Sequence, residues 1–298
     1  MEKTVLADVQ LPSTGRSVGP RSWLRWFYGN PRVLISGGFV LVLLFVAVTA
    51  PLLTHADPNT MQASQRFLSP GSTRAFLGTD QFGRDVLARI LYGARLSMAV
   101  SVLSVGIALV LGVLIGMVAA FFGFPLDVVL MRLVDAILSF PPILLAIFVV
   151  AFLGSSLTNV ILVIGVLYVP QFARIAYSST LSVKENDYIL SARAIGSGTS
   201  RILLRGVLPN IMAPILVQIS LSVGTAILLE AGLSFLGLGP PPNIPSWGRS
   251  IEEASRFMGQ HPWGVIIPSI VISASVLAFN VLGDALRDRL DPRLRTSQ

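Results

Sequence analysis

Ionisable side chains are scarce in this sequence, and where they fall decides what chemistry it can hold. Two carboxylates, Asp135 and Glu230, lie inside long apolar runs. An acid at bilayer depth is costly, so each must face a partner or a cavity. Arg132 precedes Asp135 by three residues, the spacing at which opposite charges meet on a helix. No Lys, Arg or His in the runs neighbouring Glu230 continues a proton or cation relay. Glu230 therefore stays divided between a structural hydrogen bond and contact with a passing substrate. Cysteine is absent and His55 and His261 are the only histidines, which excludes thiolate zinc and iron–sulfur sites. The two lysines, Lys3 and Lys184, follow no G-x-x-x-x-G, so a phosphate-binding loop for ATP is missing. Neither G-x-S-x-G nor H-E-x-x-H occurs, and Met98, Met117 and Met131 read as packing residues. The expectation is a chain with no catalytic residue, no metal site and no cofactor of its own.

What remains is a polar, basic segment between two apolar runs, from Leu181 to Asn210. Tyr188, Ala192 and Ile195 recur at i, i+4 and i+7, one face of a short helix that Asn186 or Asp187 can cap and Gly196-Ser197-Gly198 stops. Thr199 can cap a second short helix carrying Ile202, Leu203, Leu204 and Val207, which Pro209 ends. Periodicity alone leaves two readings: a docking element for a cytoplasmic partner, or a loop lying on the headgroups.

The elements that hold this segment are membrane spans. Of 298 residues, 53% are hydrophobic and only 12% charged, and several windows reach the roughly 20 apolar residues that cross a bilayer. The spans read as Leu34–Leu53, Leu96–Phe122, Val128–Phe152, Val160–Tyr177, Ile211–Leu236 and Trp263–Leu282, an all-α membrane protein of six transmembrane helices. The first is read as uncleaved, because its apolar run is too long for a signal peptide. Gly112 and Gly116 form a small-xxx-small pair for close helix approach. Pro141-Pro142 kinks or breaks the third span, either to shape the bundle or to serve a substrate path. Trp23, Trp26, Phe27 and Tyr28 suit the membrane interface. The basic tail before the first span and the Arg-rich end after the last place both termini in the cytoplasm, and all but seven of the 22 Lys and Arg then lie inside. The net charge of +7 thus reads as topology and lipid contact rather than nucleic-acid binding.

The seven on the other side include Arg66, Arg74, Arg84, Arg89 and Arg95, all in the loop before the second span, where the positive-inside rule opposes an outer location. Val86, Leu87, Ile90 and Leu91 make one apolar face there, with Asp85 and Arg89 at ion-pair spacing. The expectation is an amphipathic helix on the interface that feeds the next span. A second outer loop, 240–262, is stiffened by prolines, and a helix from Ser250 to Met258 is expected in it.

Four motifs carry a family resemblance. Gly78-Thr79-Asp80, Gly83-Arg84-Asp85, Arg89, Gly93, Arg95 and Ser97 fit G-T-D-x-x-G-R-D-x-x-x-R-x-x-x-G-x-R-x-S, which resembles the signature on the outer side of the second span in C-type permease subunits of dipeptide/oligopeptide/nickel-class bacterial ABC importers. Leu190-Ser191-Ala192, Gly196 and Leu208-Pro209 resemble that family's EAA loop, with Leu190 where Glu is common, Ser191 where Ala is, and Gly206 where an apolar residue is usual. Ile227 to Gly239 with Trp247-Gly248, and the end Leu286-Arg287-Asp288-Arg289-Leu290-Asp291-Pro292, complete the match. The resemblance implies a type I ABC importer permease fold in a bacterial inner membrane. It divides the chain into a cytoplasmic tail 1–32, a first span 33–54, an outer loop 55–95, a core 96–286 with the coupling loop 181–209, and a tail 287–298. It also implies that Tyr188, Ser191, Ala192, Arg193, Gly196 and Pro209 serve ATPase coupling. The implied partners are a B-type permease, two cytoplasmic ATPases that hold ATP and Mg, and an external substrate-binding protein. The competing classes are an ion-coupled secondary transporter using Glu230 and Asp135, and a purely structural or receptor membrane protein.

Overall fold

A computed structural model describes residues 29–290, and these are helical throughout apart from loops and one isolated β-bridge between Thr79 and Asp85. The helices are α1 (Pro31–Leu53), α2 (Val86–Phe122), α3 (Leu126–Leu138), α4 (Pro142–Leu153), α5 (Leu157–Val183), α6 (Asp187–Ala194), α7 (Thr199–Phe235), α8 (Trp247–Ser255) and α9 (Trp263–Leu290). Five of them, α1, α2, α5, α7 and α9, are long and apolar enough to cross a bilayer; α3 and α4 make a sixth span if counted as one, bent by 87°. The interface segment with Trp23, Trp26, Phe27 and Tyr28 and the final motif residues Asp291-Pro292 lie outside the described residues.

The most extensive interface joins α2 to α5. It depends on the two glycines of the small-xxx-small pair: a Cβ on Gly112 would lie 2.6 Å from Phe172 Cβ, and one on Gly116 would lie 2.8 Å from the Tyr177 nitrogen. Both distances are shorter than any real carbon contact, so only glycine lets these backbones approach. Outside this pair, α9 lies against α7 and α1, and a single hydrophobic cluster runs through all five long helices.

Three joints differ from the sequence expectation, each for a local reason. No separate amphipathic helix precedes the second span. Asp85 caps α2 by accepting from the Ala88 N–H at 3.1 Å, and no breaker follows, so one 37-residue helix runs from Val86 to Phe122. The third span is broken rather than kinked: Pro141 and Pro142 supply no N–H donors, and Pro141 takes the extended backbone favoured before a proline (φ −57°, ψ 125°). The second short helix of the inner segment does not end at Pro209. Gly198, not Thr199, is its N-cap, and it passes through a π-helical turn, Ile202–Val207, straight into the next span. Within that turn the Leu208 N–H bonds Leu203 O, so Pro209 enters a wide turn where its missing N–H and bulky ring are tolerated. In the second outer loop the helix starts three residues early, at Trp247, because Ser246 caps it.

Candidate functional site

The inner segment forms a small exposed platform. In α6 the buried residue is Ile189, not the Tyr188 face: Ile189 is 1% exposed, Ala192 is half-buried, and Tyr188, Leu190 and Ile195 stand in solvent. Ile189 reaches the core because position 206 is glycine; a Cβ on Gly206 would sit 2.8 Å from Ile189 Cδ1. The departure at 206 from the usual apolar residue therefore makes room for this anchor. Tyr188 donates its hydroxyl to Gly206 O at 3.3 Å. Gly196, at φ +76°, closes α6: its N–H bonds Arg193 O and the Ser197 N–H bonds Ala192 O, both at 3.0 Å. Nothing lies within 4 Å of where a Gly196 Cβ would point. Two cations tie the platform to the end of α2, with Lys184 Nζ donating to Ala120 O at 2.8 Å and the Arg193 guanidinium 4.6 Å from the centre of the Phe121 ring. Ser191 and Pro209 are exposed on the same segment.

At the opposite end of α2 the signature residues fold into a buried clasp. Gly78 and Gly83 take left-handed φ of 80° and 75° where no side chain fits. The Thr79 hydroxyl accepts from the Leu68 N–H at 2.9 Å and donates to Gln65 O. Asp80 Oδ1 accepts the Phe82 and Arg84 N–H groups, and its Oδ2 takes Arg84 Nε at 2.6 Å. Arg84 also donates to Glu253 on α8, and Arg89 lies 3.6 Å from Glu253 and 4.0 Å from Asp80. Asp85 and Arg89 thus form no side-chain pair; one caps and the other crosses to α8. Burial pushes the Glu253 carboxyl up, but the hydrogen bond and charge of Arg84, then Arg89 and Arg249, outweigh it and hold it below the usual carboxylate range. Trp247, fully buried, donates its indole N–H to Ile90 O at 3.0 Å. Arg84, Arg89, Glu253 and Trp247 bind the loops 55–95 and 240–262 into one body. Sequence reasoning missed Glu253 because its buried partner Arg84 lies 169 residues away, although Arg249 stands four residues before it.

The two intramembrane acids part company. Glu230 is fully buried and accepts three hydroxyls, from Ser234 at 2.7 Å, Ser97 at 2.9 Å and Ser246 at 3.2 Å. It is thereby sealed from solvent within this chain. Asp135 pairs not with Arg132 but with Arg174 on α5, at 2.6 Å, and both side chains are about half exposed (47% and 56%). The pair stands in an open groove of about 580 Å³ between α3 and α5. Arg132 misses the pair because Arg174, on the facing helix, holds the carboxylate. No group of three or more His, Asp or Glu that could hold a metal ion occurs among the described residues.

Comparisons with known proteins show which family the chain resembles. Residues 112–296 match the family of binding-protein-dependent transport system inner membrane components. The dipeptide transport system permease protein DppC of Alkalihalophilus pseudofirmus is 42% identical over 261 residues, 87% of this chain and 86% of that protein. DppC of Haemophilus influenzae is 38% identical over 91% of this chain and 94% of its own length. The glutathione transport system permease protein GsiD of Pectobacterium atrosepticum is 39% identical over 93% and 92%. Among solved structures, a chain of the inward-facing MetNI methionine ABC transporter superposes with a TM-score of 0.56 at 18% identity, covering 68% of this chain and 96% of that one.

Proposed function

Because the chain belongs to the binding-protein-dependent transport system inner membrane components, a non-catalytic permease family, we propose that it is the C-type permease of an ATP-driven importer of di- and oligopeptides in a bacterial inner membrane. One observation carries the substrate class: near-full-length identity of about 40% to relatives named as dipeptide permeases. In this reading both termini are cytoplasmic, and a B-type permease completes the translocation path. Two ATPases hold the ATP and Mg, and an external binding protein delivers the cargo to the outer loops.

The α6 platform is the ATPase contact. Tyr188, Leu190 and Ile195 offer an exposed apolar surface to a groove on the ATPase, with Ser191, Ala192 and Arg193 around it. Gly196 sets the angle of α6 against α7, and Pro209 follows the π turn within the first part of α7. Movement of α6 pulls on Ala120 and Phe121 through Lys184 and Arg193, and so reaches the α2–α5 pair. The Gly78, Thr79, Asp80, Gly83, Arg84 and Asp85 clasp keeps the outer end of that pair rigid, so that the helices rock as bodies. The ion-coupled alternative loses its main candidate, since Glu230 opens to no cavity.

Purification of the chain from mild detergent tests the reading. Co-purification of a second multi-span permease and two P-loop ATPases supports it. A lone chain that takes up peptide after ATP depletion, and stops with a protonophore, overturns it.

A further inference from the structure

An ion pair half open to its surroundings is an odd thing to find inside a bilayer. α5 has 27 residues, about 40 Å of helix, and Arg174 lies four residues past its midpoint. With the bilayer placed on the apolar stretch 160–177, the Arg174–Asp135 pair lies about 4.5 Å inside its cytoplasmic end. Charged side chains at that depth do not face lipid; they face water or protein. The groove in front of this pair runs toward Asp127 and Ser178, near the end of α5 that leads into the α6 platform.

The pair is also the last rung of a ladder. One helical turn away, Gln218 on α7 donates to Gln171 on α5 at 2.9 Å. One turn beyond that, Tyr168 is hydrogen-bonded to Thr225. Residues 168, 171 and 174 share one face of α5, and 218 and 225 share one face of α7. Polar rungs thus cross the middle of an otherwise apolar bundle on one continuous side. Packing has no need of them: the α2 side of α5 makes its contacts with glycine, alanine and phenylalanine.

We propose that this ladder lines the translocation path within the subunit, and that Asp135 and Arg174 form a paired-charge station for a zwitterionic peptide, its ammonium meeting Asp135 and its carboxylate meeting Arg174. Without cargo the two charges satisfy each other, so the station has no unpaired charge to stabilise. With cargo each is exchanged for a charge of the same sign, so binding is weak enough to release, as a conducting path requires. The amide rung at Gln171 and Gln218 supplies donor and acceptor groups to the peptide bond. The water in the groove follows from the exposure of the pair and the open groove around it; the cargo rests on the importer reading above.

The test uses the assembled complex in proteoliposomes. This chain has no cysteine, so single-cysteine variants report on one position. Ser178→Cys and Gln171→Cys are treated with a membrane-impermeant methanethiosulfonate, and modification is read as the mass shift of this chain. Leu162→Cys, exposed elsewhere on α5, is the lipid-facing control. The expected result is modification at 171 and 178 and none at 162. Absence of modification at both path positions means that a partner subunit seals the groove, which overturns the path. The charge station is tested separately, by uptake of Ala-Ala. Asp135→Asn and Arg174→Gln each slow uptake by about tenfold, the size of one lost charge-assisted contact. The double neutral variant decides between roles. If the pair only avoids a stranded charge, removing both charges restores uptake and the station is refuted. If the charges handle cargo, the double variant stays slow although the complex still assembles. Wild-type complex that imports no Ala-Ala overturns the peptide cargo and the station with it, while the labelling result still decides the water path.

Discussion

Glu230 shows how packing satisfies an acid in an apolar run, with three hydroxyls around a fully buried carboxylate. Its position in an apolar run was plain from the sequence. Its three serine donors were not, because Ser97 and Ser246 come from distant segments and only Ser234 shares its helix. The same holds for Asp135: an i,i+3 cation was visible in Arg132, but the geometric partner is on another helix. Local spacing proposes partners, whereas tertiary packing chooses among them. For Glu230 the packing implies a stability role. Glu230→Ala leaves three buried hydroxyls without an acceptor beside a new cavity, and is expected to cost on the order of 3 kcal/mol. A drop in the melting temperature of the detergent-solubilised complex measures it. Glu230→Gln keeps an acceptor oxygen and most of the volume, so that variant retains most of the uptake. Loss of uptake in a fully stable Glu230→Gln complex reveals a transport role instead.

At the scale of elements, the long apolar helices were legible because span length needs only composition, while their joints were not. Whether a helix continues through Asp85 or past Pro209 depends on caps and a π turn that hydropathy does not encode. Two elements carry predictions. The α6 turn is strained by any residue that resists positive φ, and the space beyond Gly196 is open, so substitution alters the angle of α6 without clashing. Gly196→Asp is expected to uncouple ATP hydrolysis from uptake with membrane insertion intact, and Gly196→Val more severely, since β-branched residues tolerate this backbone least. Normal coupling in both variants removes α6 from the ATPase contact. The clasp between the outer loops and α8 responds to acid. Glu253 is held below its ordinary value of 4.5, so its unfolded form binds protons more readily than its folded form. Its contribution is fully present above pH 4.5 and is lost as pH falls through the lower folded value. The melting-temperature gap between wild type and Glu253→Gln should stay constant from pH 7 to pH 5 and narrow below pH 4.5; a gap independent of pH down to 3 contradicts this.

For the whole molecule, the open question in the sequence was the direction of insertion, because five arginines stand in a loop that the family pattern places outside. Their count overstates their weight. Arg84 and Arg89 are buried in the clasp against Asp80 and Glu253, with Arg249 a third cation on Glu253, so the two buried arginines add little net charge to their loop. Lys184, Arg193, Arg201 and Arg205, by contrast, cluster on the α6 segment with only Glu185 and Asp187 among them, an excess of positive charge that resists translocation. The expected orientation keeps the α6 side in the cytoplasm, and the loops joined by the clasp cross with little net charge. Alkaline phosphatase, active only after export, reads this directly. Fusions after residue 70 and after residue 243 are expected to be active, and one after residue 197 inactive. The clasp argument adds a finer expectation. In a fusion after residue 95, which keeps Arg84 and Arg89 but lacks Glu253, the arginines lose one of their carboxylates, so reporter activity falls below that of a fusion after residue 260, which keeps it. Equal activity at 95 and 260 means that these arginines never counted toward orientation, and that the direction of insertion is set by the α6 segment alone.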